Sequence, residues 1–155
     1  MSFFESIDEN VICIARNSEH TLSSFSLNDF ELEGKVWPSI EHYFQGMKFP
    51  EGDYQESIRL ASTAKIARKL GRTRFKKIRK DWSAVRETVM TRAVYTLCRT
   101  HPTIAAELLA TQNETLVDNS QYDYFWGCGR DRRGHNAYGK ILMNVRAKLL
   151  AEQTA

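Results

Sequence analysis

The stretch Trp37-Pro38-Ser39-Ile40-Glu41-His42-Tyr43-Phe44-Gln45-Gly46-Met47-Lys48-Phe49 contains a strand end, a helix start and a helical apolar stripe. Pro38 cannot donate to a strand ladder, so it ends what precedes it, and Ser39 can cap the helix that follows. Ile40, Tyr43, Phe44 and Met47 fall at i, i+3, i+4 and i+7 and predict a buried stripe. Glu41, Gln45 and Lys48 then line a second face of the same helix. A carboxylate and an amine seven residues apart lie about 10 Å apart along the axis, too far to pair directly. They can bracket a small ligand, one as acid/base and the other as cation or nucleophile. The same spacing also fits a surface helix with ordinary charged residues. In the first turn the helix dipole favours a carboxylate whatever its purpose.

The flanking sequence extends this frame. Val11 to Ala15 is a short apolar run that predicts a buried strand, and Phe30 to Trp37 alternates around Gly34 as a strand or hairpin arm. Beyond residue 48 the pattern is mostly helical. Ser62 is placed to cap a helix over 63–70 that Gly71 ends. Asp81 is placed to cap the longest helix, about 82–99, with Trp82, Val85, Val89, Ala93 and Leu97 as its core stripe. Pro102 suits the first turn of a helix through Ala110. The last helix, about 138–151, buries Tyr138, Ile141, Leu142, Val145 and Leu149. At 155 residues the chain predicts one domain, 1–155, with a full core. No apolar run reaches membrane-spanning length, and Met1-Ser2-Phe3-Phe4-Glu5 lacks the basic start of a secretion signal. Three cysteines without ligand spacing suit reduced thiols in a cytoplasmic protein.

Between the last two helices, Leu116 to Ala137 is irregular and dense in Asp, Trp, Gly and Asn, a setting in which site residues tend to sit. Trp126 offers a stacking face. Asp123 and Asn136 can bond ribose hydroxyls or a base edge. Gly127, Gly129, Gly134 and Gly139 allow close backbone approach. A Gly-rich turn region with a core Trp fits the same residues. The G-x-G-x-x-G spacing after a strand is absent. The basic run Arg68, Lys69, Arg72, Arg74, Lys76, Lys77, Arg79, Lys80 can serve phosphate or nucleic acid, or be a solvated helix face. A net charge of +3 permits an anionic ligand without demanding one. His20, His42, His101 and His135 show no metal spacing, and no cofactor motif is present.

Taken in order, these segments resemble the NADAR (NAD and ADP-ribose) domain family, including its YbiA-type N-glycosidases. Leu22-Ser23-Ser24-Phe25-Ser26 is similar to the opening motif, and Trp37 to Gln45 with Lys48-Phe49 to the central one. Asp81-Trp82, Val85 and Met90 are similar to the long-helix pattern. Asp123 to Gly129, then Asn136 to Met143 with Arg146, are similar to the closing motif. Ser24 stands where many members carry Asn, Tyr138 where many carry Leu, and Asp118 where a Glu is common.

The resemblance spans about 22–150 and implies a compact, mainly helical α+β domain with a few short strands. It implies an N-glycosidase with Glu41 and Lys48 as catalytic residues. Ser24, Phe25, Trp82, Asp123, Trp126, Gly127 and Asn136 would surround the substrate, with no cofactor and no metal. The implied substrates are ribosylamino-pyrimidine phosphates, early intermediates of riboflavin biosynthesis. Removal of ADP-ribose from guanine in nucleic acid is the alternative activity. Two other readings stay open: a non-catalytic ADP-ribose or nucleotide module, and a basic helical domain that binds nucleic acid.

Overall fold

The computed structural model describes residues 10–154. The Met1–Glu5 stretch, on which the secretion-signal reading rests, lies outside them. Among the described residues the elements are β1 (Val11–Cys13), β2 (Phe30–Leu32), β3 (Lys35–Trp37), α1 (Ile40–Gly46), α2 (Asp53–Arg59), α3 (Ala64–Gly71), α4 (Trp82–Thr100), α5 (Pro102–Ala110), β4 (Thr115–Val117) and α6 (Ala137–Thr154). The fold is α+β and mainly helical, as expected. Its contacts divide into two compact units, Ser24–His101 and the described residues on either side of it.

The Ser24–His101 unit is built around α1. Phe30 to Trp37 forms a complete hairpin, β2 antiparallel to β3, with Phe30 opposite Trp37. Its two turn residues, Glu33 and Gly34, both take positive φ (57° and 74°), the geometry that matches the twist of paired strands. Ser39 caps α1, its side chain accepting from the His42 N–H. β3, α2, α3 and α4 all pack on α1, so every residue of this helix is buried. That corrects the two-faced helix expected from spacing: the Glu41 and Gln45 face is as dry as the apolar stripe. Met47, expected in the stripe, follows the helix end and is half-buried.

The neighbours of α1 differ from expectation in detail. The sequence reading had no element at α2, which begins at Gly52 without a side-chain cap and buries only Gln55 and Ile58. Thr63, not Ser62, caps α3, accepting from the Ile66 N–H at 3.1 Å, and Gly71 belongs to the helix. Asp81 precedes α4 but makes no cap bond, because Arg79 takes its carboxylate at 2.6 and 2.9 Å. Val85, expected in the α4 core stripe, is half-buried, whereas Met90, Val94 and Cys98 are buried.

In the other unit β1 lies parallel to β4, with Ile12 opposite Leu116. β1 is not the buried strand expected: Val11 and Ile12 are half-buried and Cys13 is exposed, since a two-stranded sheet leaves it an edge. β4 and α5 pack on α6, which buries all five residues expected of it. The Tyr138 hydroxyl donates to the Leu22 carbonyl at 2.7 Å. Arg146 Nη1 donates to Thr111 Oγ1 and the Glu114 carbonyl at 2.9 and 2.8 Å, tying α6 to the turn before β4. All three cysteines are free thiols. Burial pushes Cys98 up to about 11 and raises Cys128 as well, so neither is a ready thiolate.

Gly46 shows how closely α1 is held. A Cβ there would lie 2.7 Å from Cζ3 of Trp37, a fully buried ring that packs edge-on against Tyr43. Gly46→Ala should lower unfolding stability by about 1–3 kcal/mol in urea titration, through overpacking. A stabilised variant, the ordinary result of Gly→Ala in a helix, would show that the ring can move aside.

Candidate active site

Glu41 sits in the first turn of α1 with its side chain fully buried. Its Oε2 accepts from Ser24 Oγ at 2.8 Å. Its Oε1 accepts from Gln45 Nε2 at 2.7 Å and Arg68 Nε at 3.0 Å. The backbone supports the same join, since the Glu41 N–H donates to the Ser24 carbonyl at 2.9 Å. A buried ionised carboxylate is tolerated when charge and hydrogen bonds compensate it, and this one has a hydroxyl, an amide and a guanidinium.

The polar face of α1 meets α3. Arg68 comes from that helix, and its guanidinium lies 4.4 Å from the Phe25 ring centroid. Lys48 Nζ donates to the Gly71 carbonyl at 3.3 Å and lies 5.8 and 5.9 Å from the centroids of Phe44 and Trp82. Those two rings pack at 5.0 Å. Gln45 Oε1 presses on Gly71 so closely that a Cβ there would collide with it. Five of the expected site residues, Ser24, Phe25, Glu41, Lys48 and Trp82, therefore gather in this unit, joined by Gln45 and Arg68.

Arg68 was legible only as one cation in a basic run. The missed signal is spacing: Ala64, Ala67, Arg68 and Gly71 fall at i, i+3, i+4 and i+7, so Arg68 shares a face with three buried small residues. The rest of the run, Lys69, Arg72, Arg74, Lys76, Lys77, Arg79 and Lys80, is exposed.

The other four expected residues lie in the second unit. Asp123 Oδ1 accepts from the Phe125 and Trp126 N–H groups at 3.1 and 2.8 Å, and its Oδ2 faces Arg16 Nη2 at 3.9 Å. Arg16, which carried no sequence signal, is buried, its guanidinium 5.4 Å from the Trp126 ring centroid. Trp126 is buried as well and packs edge-on against Phe125. Asn136 Oδ1 accepts from the Asp118 N–H and its Nδ2 donates to the Leu116 carbonyl, at 2.8 and 3.1 Å. Gly127 is crowded by the carbonyls of Asp123 and Asp118, at 2.9 and 3.1 Å from where a Cβ would sit. Its missing side chain serves the packing of the loop on itself. Among the described residues no group of acidic, His and Cys side chains gathers into a metal site.

A mainly helical α+β domain with a buried, donor-bound carboxylate on its central helix defines the class. The NADAR domain profile matches residues 3–150, and the chain belongs to that family. It stands on the enzyme side of it. N-glycosidase YbiA of Escherichia coli is 39% identical over 131 residues, 84% of this chain and 82% of that protein. The NMR structure of E. coli YbiA superposes with a TM-score of 0.84 at 35% identity, covering 94% of this chain and 88% of the other. A maize chloroplastic protein named for riboflavin biosynthesis is 38% identical over 125 residues, 74% of this chain but 20% of its own length.

His42, beside Glu41, is a structural group. Its Nε2–H donates to the Ala61 carbonyl at 2.9 Å, and its Nδ1 faces Ser39 Oγ at 2.6 Å. Desolvation lowers its pKa below 6.5, against the opposing pull of the Ala61 bond and of Glu41. The unfolded chain therefore takes up a proton near pH 6.5 that the folded chain resists, so stability falls as pH drops below 6.5 toward the folded value. His42→Gln should lose this part of the slope when unfolding is compared between about pH 7.5 and pH 5. An unchanged slope would mean that His42 titrates alike in both states.

Proposed function

We propose that residues 1–155 act as one N-glycosidase domain that cleaves the bond between ribose and the amine of ribosylamino-pyrimidine phosphates. The observation that carries this reading is the Glu41 carboxylate, fully buried yet fixed by three donors. Burial of that kind costs stability that an apolar side chain would not cost, and it suits a group whose proton affinity matters. The names of the relatives supply the bond type and the riboflavin pathway.

Ionised Glu41 takes a proton from the water that adds at the anomeric carbon and passes it to the departing amine as the C–N bond breaks. Ribosylamine and water become free ribose phosphate and free amine, with Glu41 restored. Lys48, held beside Phe44 and Trp82, permits a covalent variant of the reaction. Its amine adds to the opened sugar and expels the pyrimidine amine, and water then releases the sugar from the imine. Ser24 orients Glu41, and Phe25 backs the Arg68 guanidinium. Asp123, Trp126, Gly127 and Asn136, proposed as substrate contacts, are held in place within the loop over 118–136 and by Arg16.

One observation favours a second reading, removal of ADP-ribose from guanine in nucleic acid. Phe75 is 88% exposed between Arg74 and Lys76, in a segment rich in exposed cations. Such a segment can track a phosphate backbone and stack a base.

Both readings meet in one assay. Incubated with a ribosylamino-pyrimidine phosphate and, separately, with ADP-ribosylated guanine DNA, the protein should release amine and ribose phosphate from the first. Release of guanine DNA alone would establish the second reading, and release from neither would end both. Borohydride added during turnover should fix a ribose-derived mass at Lys48 if the covalent variant operates. A Lys48→Arg protein that turns over normally, with no adduct in the parent, would leave Lys48 as a contact to phosphate or hydroxyl.

A further inference from the structure

Arg68 does more than neutralise a buried charge. Its Nε bonds Glu41 Oε1 at 3.0 Å and its Cζ lies 4.4 Å from the Phe25 ring centroid, while its Nη2 is buried and makes no hydrogen bond. An orphaned guanidinium N–H is costly, and a ligand oxygen can satisfy it. The other orphan beside Glu41, Gln45 Oε1, is closed off by Gly71. Resting on the N-glycosidase reading, we propose that Arg68 is a positioning residue for Glu41 that also binds substrate. Through Nε it keeps the carboxylate ionised and oriented. Through Nη2 it donates to an oxygen of the sugar phosphate, a hydroxyl or a phosphoryl oxygen.

The electrostatic setting makes the first role testable. Arg68 reaches Glu41 from α3, and on α1 itself the adjacent charge-bearing groups are His42 and, past the helix end, Lys48. From β3, α2 and α4, Trp37, Gln55 and Trp82 pack on α1, and α4 also carries the cations Arg86, half-buried, and Arg92. Glu33, Arg79 and Arg92 gather around Tyr43, two residues on from Glu41 and so about 200° around the helix. Loss of a contacting cation raises a carboxylate pKa by about 1–3 units. Arg68→Met should therefore move the acid limb of kcat/KM to higher pH by at least about one unit. Arg68→Lys keeps the charge and loses the second N–H. Its acid limb should stay near that of the parent while KM rises about tenfold or more, the loss of one charged hydrogen bond.

The experiment is the pH profile of kcat and KM for the parent, Arg68→Lys and Arg68→Met, each checked for folding by circular dichroism. A parental acid limb in folded Arg68→Met overturns the positioning role. A parental KM in Arg68→Lys overturns the substrate contact. Should Arg68→Met not fold, Arg68→Lys decides alone: raised KM with a parental limb upholds the proposal, and parental constants overturn it. The parent's own turnover separates this proposal from the function it rests on, because hydrolysis by the parent with indifferent Arg68 variants refutes the proposal alone.

Discussion

The Ser24–His101 unit depends on the burial of one carboxylate. Glu41 is fully inaccessible, and its partners come from three places in the chain: Ser24 before the hairpin, Gln45 one turn along α1, and Arg68 on α3. Breaking a buried ion pair costs about 3–5 kcal/mol, because the remaining charge is left uncompensated. That cost makes the carboxylate a registration device. The Ser24 segment, α1 and α3 can meet in one arrangement, and Gly71 is small enough to let α3 close on Gln45.

The rest of the unit follows from holding α1 on all sides. Tyr43 and Trp37 pack edge-on and Phe44 packs on Trp82. Gln55 closes the helix end by donating to the Gly46 and Phe49 carbonyls at 3.2 and 3.1 Å. Lys48 places its Nζ among these groups, near two rings and bonded to the Gly71 carbonyl. A helix surrounded this way has little freedom to shift, and a catalytic group on a rigid element is held to better tolerance than one on a loop.

Long periodic elements were legible in the sequence, and so was the placing of Glu41 on α1 and Lys48 just past its end. The stripe of α6 read correctly because all five of its positions face the same neighbours. The two faces of α1 did not, since period alone separates apolar from polar residues and cannot see that a polar face will be buried by a third helix. α2 went unseen because its start at Gly52 carries no capping side chain. Arg68 was hidden among cations that are mostly exposed, although the small residues on its face marked that side of α3 as buried. Asn136 was read by its chemistry as a ligand contact, and nothing in its surrounding sequence pointed to the bonds its amide makes to the main chain at 116 and 118. Hydrogen bonds between residues 18 and 20 apart are set by the fold and leave no local pattern.

The carboxylate is either a catalytic group or an expensive strut, and Glu41→Gln distinguishes the two. Glutamine can reproduce the geometry: its carbonyl accepts from Gln45 and Arg68, and its amide donates to Ser24 Oγ, which accepts as readily as it donates. The decisive measurement is the turnover of a ribosylamino-pyrimidine phosphate by this variant, at a temperature where its unfolding transition shows it as folded as the parent. A fall of about 10²–10⁴-fold in kcat is predicted, the usual worth of general acid–base catalysis. Turnover near the parental rate would contradict the account and leave Glu41 as a strut.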